Sequence, residues 1–155
     1  EHAKTRLLAP IRRRGGLGWK DVAQCITRLM QRHCGETKSE ELLAEGLEAL
    51  DSMRTGEAAD LAAFNPHELT RSVETLNVLD NAELVLHACR ARRASSKQLN
   101  FHRSDYPELD PPDWHKFLVV RKTLSGVNIG ESPLDYYGTL ATSYEACNED
   151  YLGGA

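Results

Sequence analysis

Lys97, His102, Arg103 and Asp105 form the densest group of side chains in this sequence with types and spacing suited to chemistry. Arginine offers a planar donor fork that matches a carboxylate or a phosphate. Histidine changes charge near neutral pH, an adjacent aspartate can orient either one, and Lys97 adds a second cation. Three readings fit such a loop: a polar network that docks this body onto a neighbouring domain, a lining for the approach of a substrate, or plain solvated surface. The first two make Lys97, His102, Arg103 and Asp105 the candidate site residues.

Other chemistries find less support. Cys25, Cys34, Cys89 and Cys147 contain no Cys-x-x-Cys pair, so neither a zinc knuckle nor an iron–sulfur ligand run is indicated. Cys25 and Cys89 fall in helical patterns, where a free thiol behaves as a small apolar group. No two histidines lie three or four apart on one predicted helix, which removes the usual helical metal pair. Gly16-Leu17-Gly18 suggests a nucleotide loop, but position 21 is Asp21 and three arginines stand where a buried strand should lead in. A plain turn fits better.

The elements that position the candidate loop read mostly as helix. Residues 1–11 resemble a short helix stopped near Pro10, and Arg12 to Gly18 a basic, flexible link. Val22, Ile26, Leu29, Met30 and His33 recur at helical spacing from about Trp19 to His33, with Gly35 as the stop. Thr37 and Glu40 form a capping-box pattern opening a second helix with the stripe Leu43, Leu47, Leu50 and Met53 or Arg54. Asn65, Pro66 and Glu68 mark the clearest helix start. The helix that follows runs to about Arg93, with Leu69, Val73, Leu76, Leu79, Leu86 and Cys89 as its stripe and Val78 and Val85 widening it.

Pro107, Pro111 and Pro112 exclude helix from the polar loop that comes next. Trp114 to Arg121 reads as a β-like run in which Phe117 to Val120 suggest a buried strand, Ser125-Gly126 as a turn, and Val127 to Ile129 as a weak partner strand. The expected fold is mainly α: an antiparallel three-helix bundle, spectrin-repeat-like, then a loop, a short β element and an extended tail. The corresponding divisions are a linker at 1–18, the bundle at 19–94, the loop and hairpin at 95–130 and the tail at 131–155.

Charge is strongly segregated. Residues 1–35 carry eight Lys or Arg against two acids, residues 36–89 three against twelve, residues 90–103 five against none, and residues 104–155 three against nine. A net charge of −4 and the lack of aromatics among the N-terminal arginines argue against a nucleic-acid partner. Complementary docking between segments, or onto another domain, fits better. No run approaches the roughly 20 apolar residues of a membrane span, and none reads as a signal peptide. A cytoplasmic protein is expected.

The loop also carries a family resemblance. His102, Arg103, Asp105, Tyr106, Pro107 and Glu108, followed by Asp113 and Trp114, resemble the C-terminal region of succinate dehydrogenase and fumarate reductase flavoprotein subunits. L-aspartate oxidase and the adenylylsulfate reductase flavoprotein subunit share that layout. There a helical bundle leads into a loop of the type Glu-Ser-Arg-Gly-x-His-x-Arg-x-Asp-Tyr/Phe-Pro-Glu, then Asp, Trp and a strand. The Met30 to Gly35 helix end and the Asn77 to Asn81 stretch are similar too, so the likeness covers roughly residues 19–121. Two departures point to a divergent branch: Ser95-Ser96-Lys97-Gln98 replaces Glu-Ser-Arg-Gly, and His102 stands directly before Arg103.

The resemblance implies a piece of an FAD-dependent oxidoreductase, and the abrupt helical start agrees. Residues 1–18 would then lead from an FAD-binding domain of the same protein, and an iron–sulfur electron-transfer subunit is a further implied partner, bringing the protein to the inner membrane only peripherally. In the family, FAD and the reacting groups are held upstream of this region, so the resemblance assigns no catalytic, cofactor-binding or metal-binding residue to this chain. The competing expectation is a stand-alone helical interaction module without redox activity. A dinucleotide-binding glycine motif upstream in the same reading frame would separate the two.

Overall fold

The computed structural model describes residues 2–123, 125–134 and 142. Four helices dominate: α1 (His2–Arg12), α2 (Trp19–His33), α3 (Glu40–Thr55) and α4 (Pro66–Ala91). Two-residue strands β1 (Thr37–Lys38) and β2 (His102–Arg103) pair in parallel, while β3 (Lys116–Thr123) and β4 (Gly126–Pro133) form an antiparallel hairpin.

α2 has the expected bounds, and Val22, Ile26, Leu29 and His33 are its buried face. α3 begins later than its pattern suggests. Ser39, not Thr37, is the cap, accepting a hydrogen bond from the Leu42 amide. Thr37 is instead drawn into β1, a pairing with a segment far along the chain that no local motif could announce. α4 starts as expected, with Asn65 accepting from the Glu68 amide and Pro66 in the first turn. Glu68 in turn accepts from the Phe64 amide.

The core joins Val22, Ile26 and Leu29 of α2 to Leu43, Leu50 and Met53 of α3 and Leu79, Ala82 and Leu86 of α4. Each of these three helices packs against the other two. Fully burying one such leucine contributes roughly 1.5–3 kcal/mol, so this cluster is the main source of stability. At Gly46 the three helices meet closely: a Cβ there would sit 2.8 Å from the His33 Cβ and 3.2 Å from the Leu86 Cδ1.

The buried line of α4 differs from the expected stripe. Ser72, Thr75, Leu79, Ala82 and Leu86 face inward, whereas Leu69, Val73, Leu76 and Cys89 are half-buried and Val78 and Val85 exposed. Ser72, Thr75 and Ala82 lie inward because their three- and four-residue steps share one face with Leu79 and Leu86. Thr75 satisfies its hydroxyl on the Arg71 carbonyl.

Two further expectations change. α1 continues through Pro10 to Arg12 and packs on α4, and the glycine-rich stretch after it is tied down. Arg13 donates to the Leu61 carbonyl, and Leu17 pairs with the turn at residues 60–62 through its amide and carbonyl. The strand expected to be buried packs on α4 but leaves Phe117 50% and Val119 36% exposed. Its partner is as long as it is, reaching Pro133 and so taking in Glu131 to Pro133 from the expected tail. The tail's Tyr136, Tyr137, Tyr144, Cys147 and Tyr151 lie outside the described residues.

Candidate functional site: a clasp at the end of the bundle

Every α-helix leaves its last four carbonyls without helical partners. At the end of α4 these are gathered by Arg103. Its Nη1 donates to the carbonyls of Cys89 at 2.7 Å, Arg92 at 3.1 Å and Arg90 at 3.2 Å. The rest of the guanidinium faces Asp105, with Nε donating to Oδ1 at 2.8 Å and Nη2 to Oδ2 at 2.7 Å. This is the bidentate geometry that makes arginine–carboxylate pairs both strong and specific. Glu40 lies 3.6 Å from the same Nη2, and the Tyr106 ring packs 5.0 Å from the guanidinium carbon. Arg103 is 0% exposed.

Asp105 has a second task. Its Oδ2 accepts from the Glu40 amide at 2.8 Å, satisfying the first amide of α3. The hydrogen bond from Arg103, reinforced by that amide, holds the Asp105 carboxyl down to about 2. The same hydrogen bond raises the Arg103 guanidinium above its ordinary value.

The backbone delivers these groups through local pairing. Lys38 aligns with Arg103 across β1 and β2, and the Ser104 amide donates to the Lys38 carbonyl at 2.9 Å. Ser95, fully buried, accepts from the Arg103 amide at 2.9 Å and donates to the Tyr106 carbonyl at 2.8 Å. The Ser95 amide and carbonyl bond to Glu108 and Asp110, while Ser96 and Phe101 exchange both of their backbone hydrogen bonds. Asn100 and Asp110 both adopt φ of 48°, a left-handed conformation that these residue types tolerate. Arg92 lies between the rings of Phe101 and Trp114, and Lys116 covers Trp114.

Of the four candidates, the structure brings together only Arg103 and Asp105. His102, the strand neighbour of Arg103, is exposed, as is Lys97, whose amide donates to Asp110. The donor fork expected to meet an incoming carboxylate or phosphate is occupied by this chain's own carboxylate and helix carbonyls. Sequence reasoning missed Ser95, Glu40 and Arg92. The Ser95-Ser96 pair was a visible signal of local hydrogen bonding, though it reads first as a helix boundary.

A second charged cluster fastens the hairpin to the bundle. Arg54 of α3 bonds Asp80 and Glu83 of α4, both at 2.6 Å, and Lys122 of β3 bonds the same two acids. Burial works against ionisation of Asp80, yet the hydrogen bonds from Lys122 and Arg54 hold its carboxyl below the ordinary value. Between α2 and α4 an open apolar groove of about 510 Å³ is lined by Ile26, Met30, Cys34, Val78, Ala82 and Val85.

α3, α4, the clasp and most of α2 fall within a family match, whereas α1 lies before it. Residues 23–146 match the family described as fumarate reductase flavoprotein C-term. The chain belongs to that family. Among similar curated proteins, the succinate dehydrogenase flavoprotein subunit of Rickettsia bellii is 29% identical over 127 residues, covering 79% of this chain and 20% of that protein. The corresponding subunit of Rickettsia conorii is 30% identical over 116 residues, covering 72% of this chain and 18% of that protein. This member of the fumarate reductase flavoprotein C-terminal family therefore spans about a fifth of the length of these relatives. The same fold occurs in E. coli quinol fumarate reductase FrdA, with a TM-score of 0.72 at 18% identity over 85% of this chain and 23% of that one. It occurs also in the Mycobacterium smegmatis Sdh1 complex in its apo form, with a TM-score of 0.70 at 23% identity over the same shares.

A flavoprotein family raises the question of where a flavin dinucleotide would sit. The glycine-rich stretch before α2 is the one motif suggestive of phosphate binding, and its geometry opposes that use. The Leu17 amide donates to the Asp60 carbonyl. A Cβ on Gly16 would lie 2.1 Å from that same oxygen, so its open side faces a carbonyl of this chain. These residues do not fit a flavin pyrophosphate. Among the described residues, no helix is long and apolar enough to cross a membrane.

Proposed function

We infer that this chain is the C-terminal domain of an FAD-dependent oxidoreductase resembling the fumarate reductase and succinate dehydrogenase flavoprotein subunits, and that it braces the FAD and substrate domains without supplying catalytic groups. FAD, and the chemistry it provides, belong to the remainder of the parent protein. The partners are that protein's own FAD-binding domain and an iron–sulfur electron-transfer subunit, in a cytoplasmic assembly peripheral to the inner membrane. The antiparallel, spectrin-repeat-like course of the three core helices suits a rigid brace.

The observation that carries this reading is the clasp. Its strongest ionic groups, Arg103 and Asp105, bind inward, while Lys97, His102, Leu99 and Leu109 remain outward. Leu99 is 66% and Leu109 58% exposed. A loop held this firmly from within, with apolar and cationic side chains turned out, is built to be pressed against another surface. Substrate contact by Arg103 is disfavoured by its burial.

The test is the double variant Leu99→Asp/Leu109→Asp in the full-length protein. Flavin content or dicarboxylate turnover should fall severalfold, while the melting temperature of the 155-residue chain carrying the same changes stays close to wild type. Unchanged flavin content and turnover would refute the bracing role at this loop.

A further inference from the structure

Cys34 and Cys89 are 55 positions apart in sequence, yet their sulfurs lie 3.6 Å apart. Cys34 is the residue that ends α2, its amide bonded to the Met30 carbonyl, and Cys89 stands near the end of α4. Both are half-buried free thiols. The sulfur of one approaches the other from a different helix, in contact but unbonded. Closing that gap to a covalent bond of about 2.05 Å draws the sulfurs together by about 1.5 Å.

The surroundings make the two sulfurs unequal. Lys38, buried to 8% exposure, donates its ammonium to the Gly35 carbonyl at 2.7 Å and lies 4.9 Å from the Phe101 ring centre. The hydrogen bond shared with Cys89 and, after the opposing effect of burial, the Lys38 charge bring Cys34 down to about 7. Cys89 moves the other way, first through its hydrogen bond to Cys34 and then through burial. Cys34 is therefore the thiol of the two that ionises more readily. That residue also lines the open groove between α2 and α4, which admits a molecule the size of a peroxide. Low thiolate pKa, access and a second thiol in contact are the three conditions for a reversible redox cysteine.

We propose that Cys34 and Cys89 are a peroxide-sensitive dithiol that closes to a disulfide joining the C-terminal ends of α2 and α4. The Cys34 thiolate attacks hydrogen peroxide, breaking the O–O bond to give Cys34 sulfenic acid and hydroxide. The Cys89 thiol then attacks the sulfenic sulfur, forming the S–S bond and releasing water. Two thiols lose two electrons, and with the proton returned to hydroxide one peroxide becomes two waters. A dithiol reductant reverses the change. Cys89 also offers its carbonyl to Arg103, so the new bond is set directly beside the clasp.

The experiment treats the full-length protein with hydrogen peroxide, alkylates remaining thiols, digests without reduction and maps the peptides by mass spectrometry. A Cys34–Cys89 linked peptide is expected, removed by dithiothreitol, with Cys25 still alkylated. In Cys89→Ser, dimedone should label Cys34, whereas Cys34→Ser should give no label on Cys89. The wild-type measurement stands even if either variant folds poorly. Alkylated thiols at both positions, a linkage to Cys147 or to another chain, irreversible sulfinic acid at Cys34, or dimedone on Cys89 would each overturn the proposal.

Discussion

The bundle core and the clasp hold the same molecule together by different physics. Between α2, α3 and α4 the contacts are apolar, non-directional and shared among many side chains, so any one of them can be altered in shape at modest cost. In the clasp, one buried guanidinium satisfies three carbonyls and a carboxylate at fixed distances. The core therefore requires volume, and the clasp requires one particular side chain. Conservative substitution separates the two regions more clearly than deletion does.

The largest effect is expected in the clasp. Arg103→Lys keeps the charge but loses the fork, leaving buried helix carbonyls unpaired and breaking the bidentate pair with Asp105. A loss of about 3–5 kcal/mol is expected in denaturant unfolding, and a loss under about 1 kcal/mol would mean that the network tolerates a point charge. In the core, Leu86→Ala should cost about 3 kcal/mol. Leu86→Met should cost less than about 1.5 kcal/mol. Were the methionine as costly as the alanine, the core too would depend on exact shape, and the contrast would fail.

Acid sharpens the comparison further. The folded carboxyl of Asp105, held to about 2, lies below its unfolded value near 3.8. Its contribution is thus fully present above about pH 4 and disappears as the pH falls towards 2. Because the side chain is 28% exposed, screening reduces the effect to about 1 kcal/mol. Unfolding of Asp105→Asn followed over that range should have a shallower pH slope than wild type, and an identical slope would assign acid sensitivity elsewhere. The smallest change belongs to the outer hairpin face, where Phe117→Thr should move stability by no more than about 0.5 kcal/mol.

The same division decides what could be read from the sequence. Periodicity identifies Val22, Ile26 and Leu29 because their burial follows from helical spacing, and Asn65-Pro66 declares its own cap. The family layout, too, is visible in Arg103, Asp105, Tyr106 and Pro107. The destination of Arg103 is not, since its partners are main-chain carbonyls that carry no side-chain signature. Thr37 was drawn from a cap into β1 by a partner 65 residues later. Phe117 to Val120 is apolar on both faces, which reads as burial, although only one face has α4 beneath it. β4 was underestimated because Gly130, Glu131, Ser132 and Pro133 are poor strand formers, and pairing with β3 outweighs that preference.

Arg103 and Asp105 touch opposite poles of two helices. The cation sits on the electronegative end of α4 and the anion on the electropositive end of α3, so a single zwitterion closes a head-to-tail circuit of peptide dipoles. Opening that circuit at either pole exposes both. In native-state hydrogen exchange, the amide of Glu40 and those at the end of α4 should accordingly lose protection together, as one cooperative unit.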